Sequence, residues 1–173
     1  MNIEILTIGH STRPVEEFID ILTAHGVQLV ADVRTIPRSR HNPQFNSDAL
    51  ADRLKASGIG YRHMPELGGL RHAKKDSPNQ GWENASFRGF ADYMQTEEFE
   101  AGLRELIEAA KQRKTVIMCA EALPWRCHRS LIGDALSARG IAVMNIMSRT
   151  SAKPHALTAW AEVKDAKVLY PKK

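Results

Sequence analysis

Apolar positions along the chain alternate between short unbroken runs and stretches repeating at helical spacing. Ile3 to Ile8 is an apolar run carrying one charged residue, Glu4, and ending at Gly9. It predicts a buried strand. Pro14 then stands where a first helical turn accepts it, Glu16 and Glu17 complement the helix N-terminus, and Val15, Phe18, Ile19 and Leu22 line one face before Gly26. Leu29 to Val33 is a second strand. Short connections within this strand–helix–strand unit imply parallel strands and a right-handed crossover.

Thr35 to Asn46 reads as a long polar loop. Ser47 is the expected cap of a helix with Leu50 and Leu54 on its inner face, closed by Gly58. Ile59 to Met64 predicts a third strand. Leu67 to Ala85 has little periodicity and contains Gly68, Gly69, Pro78 and Gly81, and a loop that long inside a domain is usually functional or mobile. Phe87, Phe90, Ala91 and Met94 restart a helical pattern, which Phe99, Leu103, Leu106, Ile107 and Ala110 continue after a break near Thr96. Val116 to Cys119 predicts a strand, Leu131, Ile132, Ala135 and Leu136 a helix stopped by Gly140, and Ile141 to Met147 a further strand. A short helix over His155–Val163 and a polar tail, flexible from about residue 165, complete the expectation. Such alternation predicts an α/β fold, a three-layer sandwich with a mostly parallel central sheet, as a single domain over residues 1–173.

Composition narrows the class. With 43% apolar and 25% charged residues, the 173-residue chain is neither disordered nor fibrous. No apolar run approaches the roughly 20 residues that span a bilayer, the first residues do not read as a signal peptide, and two cysteines are too few for a secreted disulfide framework. A cytoplasmic protein without membrane association is expected. The net charge is only +4, but its distribution is uneven. Between Arg34 and Lys75 lie nine basic residues and three acids, an excess larger than that of the whole chain. An anionic partner, a small molecule or nucleic acid, is favoured over a merely solvated surface.

Ligands of open parallel sheets bind beyond the carboxyl ends of the strands. Those ends carry Gly9-His10-Ser11, Asp32 and Arg34 followed by Arg38, Ser39, Arg40 and His41, and Cys119-Ala120-Glu121. Asp32 lies within an apolar strand and must be paired or useful. The densest segment is Cys119-Ala-Glu121-Ala-Leu-Pro124-Trp125-Arg126-Cys127-His128-Arg129, from a strand end into a helix start. Helix N-termini favour anions, Arg126 and Arg129 add bidentate donors, and the same field would lower the pKa of Cys127. Glu121 is a candidate general acid or base and His128 a proton shuttle. In the plain structural alternative Cys119 is a core thiol, Arg126 pairs with Glu121, and His128 caps the helix.

This segment, C-A-E-x-x-P-x-x-C-H-R, resembles the signature of the domain-of-unknown-function family numbered 488. So do T-I-G-H-S at Thr7–Ser11, D-V-R at Asp32–Arg34, P-x-S-R at Pro37–Arg40 and E-L-G-G at Glu66–Gly69. The resemblance implies an α/β domain and supplies no activity.

The chemistry therefore rests on the residues. A phosphatase or sulfur-transfer loop is disfavoured, because six residues separate Cys119 from Arg126 without a glycine, and Glu121 would repel the anion. The Cys119–Cys127 spacing matches no known redox motif. G-x-G-x-x-G and phosphate-loop lysine patterns are absent. No cofactor is expected; zinc or iron would be held by Cys119, Cys127 and His128, with His10 or His63 as a further zinc ligand. The leading expectation is an enzyme, of hydrolase or glycosylase type, acting on a phosphate-bearing substrate such as nucleic acid. Its catalytic candidates are Asp32, Glu121, His10, Cys127 and His128. Its binding candidates are Ser11, Arg34, Arg38, Arg40, Tyr61, Gly68, Gly69, Arg126 and Arg129, with Tyr61, Trp82 and Trp125 as stacking surfaces. The alternatives are a non-catalytic module binding nucleic acid or a partner, and a Cys/His metal protein.

Overall fold

The computed structural model describes residues 3–172. Its elements are β1 (Glu4–Gly9), α1 (Val15–Ala24), β2 (Leu29–Asp32), α2 (Ser47–Ala56), β3 (Gly60–His63), α3 (Ala85–Tyr93), α4 (Glu97–Gln112), β4 (Thr115–Cys119), α5 (Arg129–Ser137), β5 (Ala142–Ser148), β6 (Ser151–Pro154), β7 (Glu162–Lys164) and β8 (Lys167–Leu169). Six strands form one sheet in the order β3-β2-β4-β1-β5-β6, all parallel except β6, which runs antiparallel to β5.

The side-chain alternation of β4 builds both cores. Val116 and Met118 join Phe18, Leu22, Phe45, Leu50 and Leu54 under α1 and α2. Ile117 and Cys119 face the other way, among Phe90, Leu103, Leu106, Leu131 and Leu136 of α3, α4 and α5. The result is the expected α/β sandwich. The break near Thr96 is a helix cap: its hydroxyl accepts from the Phe99 amide at 3.2 Å and starts α4. Ser47 is not a cap. It lies inside α2, and Asn46 holds the cap position while its side chain accepts from the Ser39 amide at 2.8 Å, ordering the basic loop instead.

Adjacent strands β1 and β4 send their chains to opposite faces, β1 into α1 and β4 into α5. Their pairing continues past the strand ends: the His10 amide donates to the Cys119 carbonyl at 2.9 Å and the Ser11 amide to that of Ala120 at 3.0 Å. Gly9 is required here, because a Cβ would collide with the Glu121 backbone.

The C-terminal expectation is corrected. Residues 155–163 are not a helix, since Asp134 of α5 takes hydrogen bonds from His155 and from both the amide and hydroxyl of Thr158. These tertiary bonds override the local helical propensity of Ala156, Leu157 and Ala159. The segment from 165 is not a free tail either. β7 and β8 form a hairpin over Asp165 and Ala166, both at positive φ (52° and 65°), as a type I′ turn demands. Tyr170 is fully buried and donates its hydroxyl to Asp134 at 2.6 Å. The long loop between β3 and α3 is ordered by Asp92, which accepts from the Ser77 hydroxyl, the Asn79 amide group and the Lys74 backbone amide.

Candidate functional site

Two hollows flank the turn at Pro124–Arg126. One is a cleft of about 350 Å³ at the carboxyl ends of β2 and β4, with Arg34, Arg38, Cys119, Glu121, Arg126, Cys127 and His128 in its walls. Glu121, Arg38 and Arg126 are exposed there. Ile36 and Leu70, 62% and 68% exposed, stand as apolar lips. The other is a cavity of about 580 Å³ lined largely by apolar groups, including Trp82, Trp125 and Trp160, with Lys153 and His155. Trp125 and Arg126 are consecutive, yet each lines a different hollow.

Beneath the cleft, Asp32 is fully buried and its carboxylate is saturated. Arg34 donates to it from Nε at 2.9 Å, from Nη2 at 2.7 Å and from its backbone amide at 3.1 Å, and the Tyr61 hydroxyl donates as well. Arg34 further donates to the Phe45 carbonyl and, from Nη1, to Nε2 of His10 at 3.4 Å. His10 donates from Nδ1 to the Ser11 carbonyl and stacks on Phe45. Burial, helped by the Arg34 charge, pushes its pKa down to about 4. Burial and the neighbouring Asp32 charge push the Tyr61 hydroxyl well above its ordinary range.

This chain of four side chains is a buried strut that fixes Arg34. Asp32 offers no lone pair to water, and neither it, His10 nor Tyr61 lines the cleft. Ser11, at a positive φ of 53°, turns the chain after β1. Arg40 is exposed on the loop and is not among the cleft residues.

His128 is held as a neutral imidazole. Its Nε2 donates to the carbonyls of Val33 (3.0 Å) and Leu67 (3.1 Å), leaving Nδ1 as an acceptor 3.5 Å from the Cys127 sulfur. Burial lowers its pKa to about 4, with the nearby Arg129 and Arg71 charges adding to the effect. Gly69 lies against this ring and Gly68 against Thr35; a Cβ at either would collide. Both glycines therefore serve close packing of the cleft wall. Arg71 is likewise occupied, donating to the carbonyls of Gly68 and Pro65 and lying 3.6 Å over the Tyr93 ring.

Two expectations about the helix start are corrected. Arg129 is 1% exposed. Its Nη2 donates to the carbonyls of Glu121 and Ala122, bracing the loop from inside rather than meeting a substrate. The thiol whose pKa is lowered is Cys119, not Cys127. Burial raises it, but the hydrogen bond from Cys127 and the Arg129 charge outweigh burial. Cys127, beside the Cys119 sulfur and itself buried, is pushed up. Among the described residues, no group of three or more His, Cys, Asp or Glu side chains could hold a metal ion.

Asp134 escaped sequence reasoning, although a charge amid Leu131, Ile132, Ala135 and Leu136 was a readable signal of a buried, partnered carboxylate. Thr35 and Phe87, also in the cleft wall, left no such signal.

Fold and site together define an α/β protein with a cleft, edged by charged side chains, at the carboxyl ends of β2 and β4. The family described as "Domain of unknown function DUF488" matches residues 14–136, and the chain belongs to it. No curated protein and no solved structure gives a significant match. Among the described residues, no helix is long and apolar enough to cross a membrane.

Proposed function

We propose that the protein is a cytoplasmic enzyme that hydrolyses a phosphate-bearing substrate, with nucleic acid as the favoured class. The observation that carries this reading is the Pro124–Arg126 turn. It presents Arg126 to the cleft that also holds Arg38 and Glu121, and Trp125, 63% exposed, to a cavity lined by all three tryptophans of the chain. A nucleotide has the same bipartite character, a charged phosphate one sugar away from a stacking base. Arg38 and Arg126 take phosphate oxygens. Glu121, the exposed carboxylate of the same cleft, takes a proton from the attacking water. The apolar lips Ile36 and Leu70 suit insertion beside an unstacked base. Asp32 and His10 support Arg34 and take no part in proton transfer.

The test uses labelled single-stranded DNA and RNA, with product formation and binding measured in parallel. Glu121→Gln is expected to lower turnover about 100-fold or more with binding retained, and Arg126→Ala to weaken binding and flatten its salt dependence. Salt-sensitive binding without product from the unaltered protein would identify a binding module instead. Full turnover in Glu121→Gln would remove Glu121 from its role.

A further inference from the structure

Arg129 opens α5, and among the described residues its charge has no ion-pair partner. Its guanidinium makes two hydrogen bonds, both from Nη2 and both to neutral carbonyls. Nε and Nη1 are buried and have no partner. Among the described residues, no carboxylate forms an ion pair with it. A guanidinium does not shed its proton inside a protein, and an uncompensated buried charge is strongly unfavourable. Such a charge favours the ionised form of any titratable acid beside it.

Those neighbours are two sulfurs. The Arg129 backbone amide donates to the Cys127 sulfur at 3.4 Å, and the guanidinium charge acts on both cysteines. Both thiols are free and buried, and they are near enough for each to shift the other's ionisation. The remaining groups facing them are the Glu121 carbonyl, 3.5 Å from the Cys119 sulfur, Nδ1 of neutral His128, and the Glu121 carboxylate. Cys119 ends β4 and Cys127 precedes α5, so the fold brings together two residues that their sequence spacing did not mark as a pair. Both also line the cleft, where a small oxidant can reach them.

We propose that Cys119 and Cys127, which share one wall of the cleft beside buried Arg129, form an oxidisable dithiol, with a hydroperoxide as the co-reactant. The Cys119 thiolate attacks the distal peroxide oxygen. The O–O bond breaks, and the departing oxygen takes a proton from solvent. Cys119 becomes a sulfenic acid. The Cys127 sulfur then attacks the Cys119 sulfur, the S–O bond breaks, and hydroxide leaves as water with the Cys127 proton. Two thiols lose two electrons, and hydrogen peroxide is reduced to two waters. The disulfide would tie the end of β4 to the start of α5 and restrain the loop carrying Glu121, Trp125 and Arg126. The chemistry is read on the protein alone, so it stands or falls separately from the nucleic-acid reading.

Full-length reduced protein is treated with hydrogen peroxide and mapped by mass spectrometry. The expected result is loss of two hydrogens and a peptide crosslinked through Cys119 and Cys127. Cys127→Ser should stop at a sulfenic acid on Cys119 that dimedone traps, while Cys119→Ser should form neither species. Iodoacetamide at neutral pH should modify Cys119 before Cys127 in the unaltered protein, and Arg129→Gln should slow that modification roughly ten-fold. Should that variant not fold, the order of modification in the unaltered protein still decides the matter. An unchanged mass after peroxide, a sulfenic acid on Cys127 rather than Cys119, or thiols that react only as fast as the protein unfolds would each overturn the proposal.

Discussion

Gly69 packs so closely on the imidazole of His128 that a Cβ there would lie 2.7 Å from Nδ1 and 2.8 Å from Cγ. The ring cannot retreat without stretching its bonds to the carbonyls of Val33 and Leu67. Gly69→Ala is therefore expected to destabilise the fold by about 1–3 kcal/mol, the usual cost of overpacking. Urea unfolding checks this, and a change under about 0.5 kcal/mol, the ordinary scatter of neutral substitutions, would show that the wall is soft.

The buried histidines give stability a pH dependence. His10 and His128 are neutral in the fold, with pKa values lowered to about 4 from 6.5. The unfolded chain binds protons on them below pH 6.5 and the folded chain does not. Their contribution is complete above that pH and is lost as pH falls towards about 4, on the order of 3 kcal/mol for each. The urea midpoint should fall across this window, and His128→Gln should flatten the fall. An NMR titration of His128 centred near 6.5 would contradict the assignment.

Asp134 ties α5 to the C-terminal segment through four hydrogen bonds, from His155, from the amide and hydroxyl of Thr158, and from Tyr170. Asp134→Ala leaves these donors unpaired and should cost about 3–5 kcal/mol, against about 1.5–3 kcal/mol for Tyr170→Phe, which loses a single bond to a charged acceptor. Limited proteolysis should release the segment after Lys164 in both variants. Equal stability of Asp134→Ala and the unaltered protein would remove the anchor role.

Ala166 occupies a left-handed conformation at φ 65°, which costs a non-glycine residue roughly 1 kcal/mol. Ala166→Gly should relieve that strain, partly offset by the greater freedom of the unfolded chain. A net gain of a few tenths of a kcal/mol in thermal or urea unfolding is expected, whereas a loss would mean that Ala166 makes a contact worth more than its strain.

Asp32 and Glu121 separate two kinds of carboxylate. Asp32→Asn removes the counter-charge of buried Arg34, so its chief effect should be a stability loss of about 3 kcal/mol or more. Glu121 is exposed, and Glu121→Gln should change stability by less than about 0.5 kcal/mol. Paired urea titrations measure both; a stable Asp32→Asn would return Asp32 to the list of available bases.

The sequence by itself determined the order of strands and helices up to residue 148, the α/β sandwich, and the cleft segments around Arg34, Gly69 and Cys119–His128, but it added Thr7–Ser11, which lies outside the cleft, and missed Ser86 and Phe87. Each is written in local patterns: apolar runs, helical spacing, Pro at turn starts and Gly after helices. The chain alone could also show that Asp32 sits where a charge needs a partner. It could not show that Arg34 and Tyr61 would consume that carboxylate, that Arg129 would turn inward, or that Cys119 rather than Cys127 would hold the lower pKa. Those outcomes depend on desolvation and on donors supplied by distant segments, which only packing brings within reach. The C-terminal segment makes the same point. Its alanines favour a helix, and Asp134, from another element, supplied the hydrogen bonds that decided otherwise.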